Sequence, residues 1–443
     1  MSTLARTSPA PSGKTFLSRL GLPKALLLGY LGLLLFMIGD GVEAGFIAPF
    51  LVDNGAGNET GAANIITVYG IAVMFASWLS GALSQLWGPR RVMVIGLAIW
   101  LLFDVAFLAV AVSSASYELM LITYGIRGFG YPLFAYSFLV WVTAAAPRAR
   151  LGAAVGWYYF AFTGGLPTLG ALVASFSTPV LGHLGTLWLS LAILAAGGII
   201  AILGVRERTG SKSLAPEEVK PLKSLLSSVS LAWQRPKVGL GALARMINST
   251  PQFGLFVFFP TIFADQIGFG EGAWLQLVAI MFGSCILFNL LSGIVSDKLG
   301  WRNTVFWFGS IGCAITFPLL YFVPVMLGKD YYWAALVDGI LYGMSLAGWV
   351  PISALVPSMA PENKGGAMAL LNLGAGASAF VGPALVGLLL VPIGPANLVL
   401  VFSGLYLFSA LLVHFCKLPE DQEQHHETLE ADEGTAALAT NAV

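Results

Sequence analysis

Apolar residues gather along this chain into long blocks, where a water-soluble fold would show only the short stripes of helices and strands facing a core. The first block extends from Ala25 to Leu51, and eleven more follow at 63–86, 92–112, 117–144, 151–176, 185–205, 239–264, 272–296, 303–326, 332–358, 366–391 and 395–416. Crossing the hydrocarbon of a bilayer takes about 20 helical residues, because no backbone N–H or C=O can be left unpaired there. Each block therefore predicts one crossing. Arg6, Lys14, Arg19 and Lys24 precede the first block as bases precede a secretion signal, but the block is too long and ends in no small-residue cleavage site. It predicts a retained first span, and the fold class is an all-α membrane protein with twelve transmembrane helices.

The blocks form two sets of six, giving bundles at 25–205 and 239–416 with a cytoplasmic segment at 1–24 before them. Between the bundles lies a polar linker, 206–238, carrying Arg206, Arg208, Lys212, Lys220, Lys223, Arg235 and Lys237. Within it, Pro216 and two glutamates open a stretch to Trp233 in which Leu222, Leu225, Leu226 and Val229 keep helical spacing, predicting a short surface helix. The tail at 417–443 holds seven acids (Glu420, Asp421, Glu423, Glu427, Glu430, Asp432 and Glu433) and is read as disordered.

Charge sets the orientation. With the N-terminus inside, 19 of the 22 lysines and arginines fall in inside segments, only Lys329 falls outside, and Arg127 and Arg245 lie within spans. Cytoplasmic loops retain bases, so both termini are expected in the cytoplasm. Composition agrees with the membrane reading: 57% of the residues are apolar and 22 acids balance 22 bases. Net charge zero, with no basic block to track phosphates, excludes a nucleic-acid partner. Cys285, Cys313 and Cys416 share no ligand spacing, so neither a disulfide nor a metal site is expected. His183, His414, His425 and His426 are read as solvated loop or tail residues.

An internal repeat narrows the class. Gly81-Ala-Leu-Ser-Gln85-Leu-Trp-Gly88-Pro-Arg90-Arg91 follows the second block, and Gly293-Ile-Val-Ser-Asp297-Lys298-Leu-Gly300-Trp-Arg302 follows the eighth, 212 residues later. A pattern of Gly-x3-(Asp/Gln)-x2-Gly-x-Arg at the same place in each half marks a repeated six-span unit. At these residues the sequence resembles the major facilitator superfamily, over nearly the whole chain. That resemblance implies two pseudo-symmetric six-helix bundles around a central cavity, working by alternating access, with both loops as gating elements. The first copy has Gln85 where the family usually has an acid. Gly39-Asp40-Gly41-Val-Glu43, Tyr124-Gly-Ile-Arg127-Gly, Tyr131-Pro-Leu-Phe-Ala-Tyr136-Ser-Phe, Arg245-Met-Ile-Asn248, and Asn372-Leu with Gly376 are further similar to the bacterial permeases for ribitol and arabinitol. Asp104 and Asp338 stand where the family pattern has no acid.

Ionisable groups inside spans cost at least a few kcal/mol to insert, so they should face the bundle interior or a wet cavity. Asp40 and Glu43 share one helical face of the first span beside Gly39, Gly41 and Gly45. Two such carboxylates suit a proton carrier, or a structural pair neutralising Arg127 of the fourth span. The resemblance implies that Arg127 couples to a first-span carboxylate. Phased polar stripes recur at Tyr124, Arg127 and Tyr131, at Arg245, Asn248 and Gln252, and at Asp338, Tyr342, Ser345 and Trp349. These, with Asn372, are the candidate lining of a shared cavity, or else hydrogen bonds between helices.

Counted together, Arg127 and Arg245 against Asp40, Glu43, Asp104 and Asp338 give minus two, which argues against an anionic substrate and leaves organic cations open. A neutral polyol matches the amides, carboxylates and tyrosines, which both donate to and accept from hydroxyls. Gly165-Leu-Pro167-Thr-Leu-Gly170-Ala171 matches the exporter signature only in part, favouring uptake. The leading reading is proton-coupled uptake of a sugar alcohol by a monomer in a bacterial inner membrane, with no cofactor beyond the proton. A sugar or organic-acid symporter, a drug/proton antiporter, and a transport-dead nutrient sensor of the same fold are the alternatives. No metal cluster, nucleophile elbow or phosphate loop suggests an enzyme.

Overall fold

Blocks of this length can satisfy their backbone in lipid only as helices, and helices are what a computed structural model of the chain contains. It describes residues 24–146, 151–214 and 229–417, and among these there is no strand. The anticipated surface helix at 216–233 lies mostly outside the described residues, as do the first 23 residues and the acidic tail from 418.

The first crossing is Leu27–Val42 joined to Ile47–Ala56 through a 54° bend. Glu59–Trp87, Pro89–Val112 and Tyr117–Ala145 follow. Asn58 caps the second crossing, its side chain accepting from Gly61 N at 2.9 Å, and the left-handed Gly88 (φ 87°) ends it and lets Pro89 start the next. Gly300 (φ 83°) repeats that turn 212 residues on, so the two motif copies share backbone geometry as well as sequence.

Two helical stretches, Ala154–Gly204 and Gly366–His414, are each broken by one left-handed glycine, Gly182 (φ 68°) and Gly394 (φ 76°). Packing against the first span reveals the reversal at Gly182. Ahead of it, Gly165 meets Met37 and Gly170 meets Gly41, a parallel pairing; after it, Leu194 meets Gly39 and Ala201 meets Gly32, an antiparallel one. The seventh span, Pro236–Thr261, plays the same part in the second half. Gly374 and Gly382 run parallel to it at Ala242 and Thr250, whereas Phe402 and Ser409 return past Gly254 and Ala244. Each long stretch thus carries two crossings. With Glu271–Leu299, Trp301–Leu327 and Lys329–Ser358, the described helices form two like-built halves, an arrangement consistent with twelve crossings.

Small residues hold the halves together. The second and eleventh spans cross antiparallel where Gly70 meets the Ala379 carbonyl, Gly376 meets Met74, and Gly387 meets Ala63. The fifth and eighth do so where Gly283 meets Thr168 and Gly164 meets Ile286. Without side chains at these points the backbones approach closely, which is how helices associate in lipid. Leu102, Phe176, Leu203, Leu287 and Leu388 are two-thirds or more exposed, an apolar belt suited to acyl chains.

Candidate functional site

Three carboxylates and one guanidinium converge in the first half. Arg127, fully buried, donates through Nη1 to Glu43 Oε2 at 2.9 Å, through Nη2 to Glu43 Oε1, and through Nη1 to Asp104 Oδ1. Tyr124 donates its hydroxyl to Glu43 Oε1 at 2.8 Å. Asp40 stands apart from the cation: its partner is Trp100 Nε1, at 2.7 Å. The guanidinium is stacked among rings, 4.2 Å from the Tyr124 centroid, 4.8 Å from Trp100 and 5.5 Å from Tyr69. Glycines at 39 and 41 let the sixth and fifth spans pack directly on the carboxylate-bearing turn, and Ser190 donates to the Gly39 carbonyl at 2.7 Å. A cluster with three acids and one base carries surplus negative charge when all are ionised, and its burial leaves that excess little screened by solvent.

The second half presents a different chemistry. Arg245 is half-buried in the seventh span, within electrostatic reach of the Tyr136 and Tyr159 hydroxyls of the first half and of Cys285. It forms no ion pair among the described residues. The two intramembrane arginines therefore differ in their partners: Arg127 is paired with Glu43 and Asp104, whereas Arg245 lies within electrostatic reach of phenols. One turn on, Asn248 is buried with its Oδ1 lacking a partner among the described residues, and Gln252 is half-buried.

Tyr131 is buried beside Phe162, their centroids 6.4 Å apart, on the first-half side. Tyr342 bonds Tyr406 across 2.8 Å inside an aromatic core with Phe317, and Trp349 is buried against Gly309. Asp338 is buried with Oδ2 unpaired among the described residues, while Asn372 is exposed. Of the proposed lining, the structure thus brings Tyr124 to the carboxylate cluster, keeps Tyr342 and Trp349 within second-half packing, and sets Arg245 within reach of first-half tyrosines. In the gating loops Arg90 is half-buried, Arg91 and Lys298 are exposed, and Arg302 reaches the His414 carbonyl at 3.3 Å. The surroundings of Gly293 and the side chain of Asp297 are not among those the structure describes. Gln85 contributes its backbone: its carbonyl accepts from Ser213 Oγ and Leu214 N, both at 2.9 Å, anchoring the linker on this loop.

Several participants escaped sequence reasoning. Trp100, one helical turn from the Asp104 already counted among the intramembrane acids, has the same phased spacing that marked the other stripes. Tyr136 and Tyr159 carried no such signal, because their relation to Arg245 arises only when the halves meet. His183 accepts or donates a 2.7 Å hydrogen bond with Glu271 across the halves, a pairing 88 residues apart in sequence.

This arrangement, two six-helix halves with buried charge in one and a lone arginine between them, is that of a membrane transporter. The family model of the major facilitator superfamily matches residues 29–355 and 243–442. The chain belongs to that superfamily. It is 43% identical over 404 residues to the alpha-ketoglutarate permease of Bacillus subtilis, covering 91% of this chain and 92% of that protein. The D-arabinitol transporter of Klebsiella pneumoniae is 34% identical over 409 residues, 92% of this chain and 96% of that one. Among solved structures a D-xylose-proton symporter superposes with TM-score 0.68 at 17% identity, covering 89% of this chain and 98% of its own, a likeness of fold.

Proposed function

We propose that the chain takes up a sugar alcohol together with a proton, across a bacterial inner membrane with both termini in the cytoplasm. The observation that carries this reading is the separation of roles: a buried carboxylate cluster whose Asp40 is hydrogen-bonded to Trp100 and not ion-paired to Arg127, and in the second half Arg245 within electrostatic reach of Tyr136 and Tyr159. A planar guanidinium donates to neighbouring hydroxyl oxygens, phenols donate to them and accept from them, and Gln252 does both. Asp40 serves as the proton carrier, and alternation between faces exposes it in turn to each side. Similarity to a D-arabinitol transporter supports the substrate class.

A second reading has a specific basis. Arg245 without a carboxylate partner among the described residues also suits an organic acid, and a relative bears the name alpha-ketoglutarate permease. Uptake of radiolabelled arabinitol, ribitol, xylitol and α-ketoglutarate into proteoliposomes under an imposed proton gradient separates the two. Accumulation of a pentitol, uncompeted by excess α-ketoglutarate, is expected; accumulation of the acid alone replaces the first reading with the second.

A further inference from the structure

On the face away from the termini the two halves are closed by three contacts at one place. Trp274 Nε1 of the eighth span donates to the Gly45 carbonyl of the first at 2.7 Å, and Leu275 packs on Gly45 beside it. A turn nearer the surface, His183 Nε2 lies 2.7 Å from Glu271 Oε2. His183 follows the left-handed Gly182 that reverses the chain between the fifth and sixth spans, and Glu271 opens the eighth span. The imidazole is stacked on Phe46, with centroids 5.1 Å apart, and edge-on to Phe50. Glu271 Oε1 is buried and has no hydrogen-bond partner among the described residues.

We propose that His183 and Glu271 form a proton-operated latch: a proton bound between them holds the halves together on this face, and its loss lets them part. The pair bridges the halves, its carboxylate is committed to one partner, and the ring is fixed by aromatic walls. Charged groups within its reach are Glu271 on the eighth span and Asp53 after the first, both negative; the remaining walls are Phe46 and Phe50. The hydrogen bond to Glu271 raises the His183 proton affinity above the ordinary histidine range, against the opposing effect of burial, and the charges of Glu271 and Asp53 add to it. The sign follows: the charged pair is intact while His183 is protonated and is lost as pH rises through its raised pKa. Protons thereby favour closure of the face from which, in an importer, they arrive.

The test needs no substrate and no assumption about orientation. Leu275→Cys, fully buried in the closed form, is labelled with a maleimide in nanodiscs. Its rate is divided by that of exposed Ser113→Cys at the same pH, after subtracting the signal of the three native cysteines. The ratio should rise severalfold between pH 5.5 and 8.5. His183→Gln should hold it high and flat, and His183→Arg, a permanent cation, low and flat. A flat ratio in the unmodified latch, or a pH profile that survives His183→Gln, overturns the proposal. A monodisperse size-exclusion peak for each variant shows that the protein is folded.

Discussion

Asp40 accepts its hydrogen bond from Trp100, and the same indole lies 4.8 Å from the Arg127 guanidinium, so the carboxylate lies within the cation's field without a direct ion pair to it. Glu43 and Asp104 hold Arg127 directly. Of the three acids Asp40 therefore has most freedom to change protonation without breaking an ion pair.

From that follows the first expectation. Asp40→Asn keeps the shape and the Trp100 contact but removes the charge change. It should abolish accumulation driven by a proton gradient and leave counterflow of unlabelled against labelled substrate within about twofold of the parent. A ligand-like group with equal proton binding in both states transmits nothing. Glu43→Gln should instead damage folding and counterflow alike.

Arg127→Ala strands two buried carboxylates, and breaking a buried pair from one side costs roughly 3–5 kcal/mol. Size-exclusion profiles of detergent-solubilised protein should show loss of the monodisperse peak, partly restored when Asp104→Ala and Glu43→Gln are added. No restoration would mean that the arginine acts through its stacking on Trp100 and Tyr124.

Arg245→Gln removes a charge that nothing in the described protein neutralises, so the fold should tolerate it, with a shift in stability below about 1 kcal/mol. Its effect should fall on half-saturation, which a bidentate donor lost from a polyol raises on the order of tenfold. Tyr136→Phe and Tyr159→Phe should each raise it less. Equal half-saturation in all three removes this face from the substrate path.

Gly41→Val tests the packing beneath the cluster. A side chain there would overlap the Leu166 carbonyl, in backbone that cannot withdraw. Expression should fall sharply, whereas Gly81→Ala, with open space around it, should be silent.

The twelve crossings were legible in the sequence because a bilayer demands about 20 apolar residues each time, and the repeat was legible because Gly88 and Gly300 need the same left-handed turn. The membership of Asp40, Glu43 and Arg127 in one cluster was also readable, as buried charges must pair and few were available. Their division of labour was not. Summed along the spans, the charges favour a neutral substrate, but this sum cannot tell that Asp104 shares Arg127 with Glu43 while Arg245 stays apart. His183 shows the same limit: in sequence it is one histidine in a loop, and only the meeting of two halves supplies Glu271.

The central claim is that a polyol and a proton move together. Proteoliposomes loaded with a pH-sensitive dye test it most directly, by adding arabinitol outside at equal pH on both sides. The account predicts acidification of the lumen that Asp40→Asn eliminates while arabinitol counterflow persists. Uptake of arabinitol with no change in lumenal pH, or acidification that survives Asp40→Asn, would contradict it.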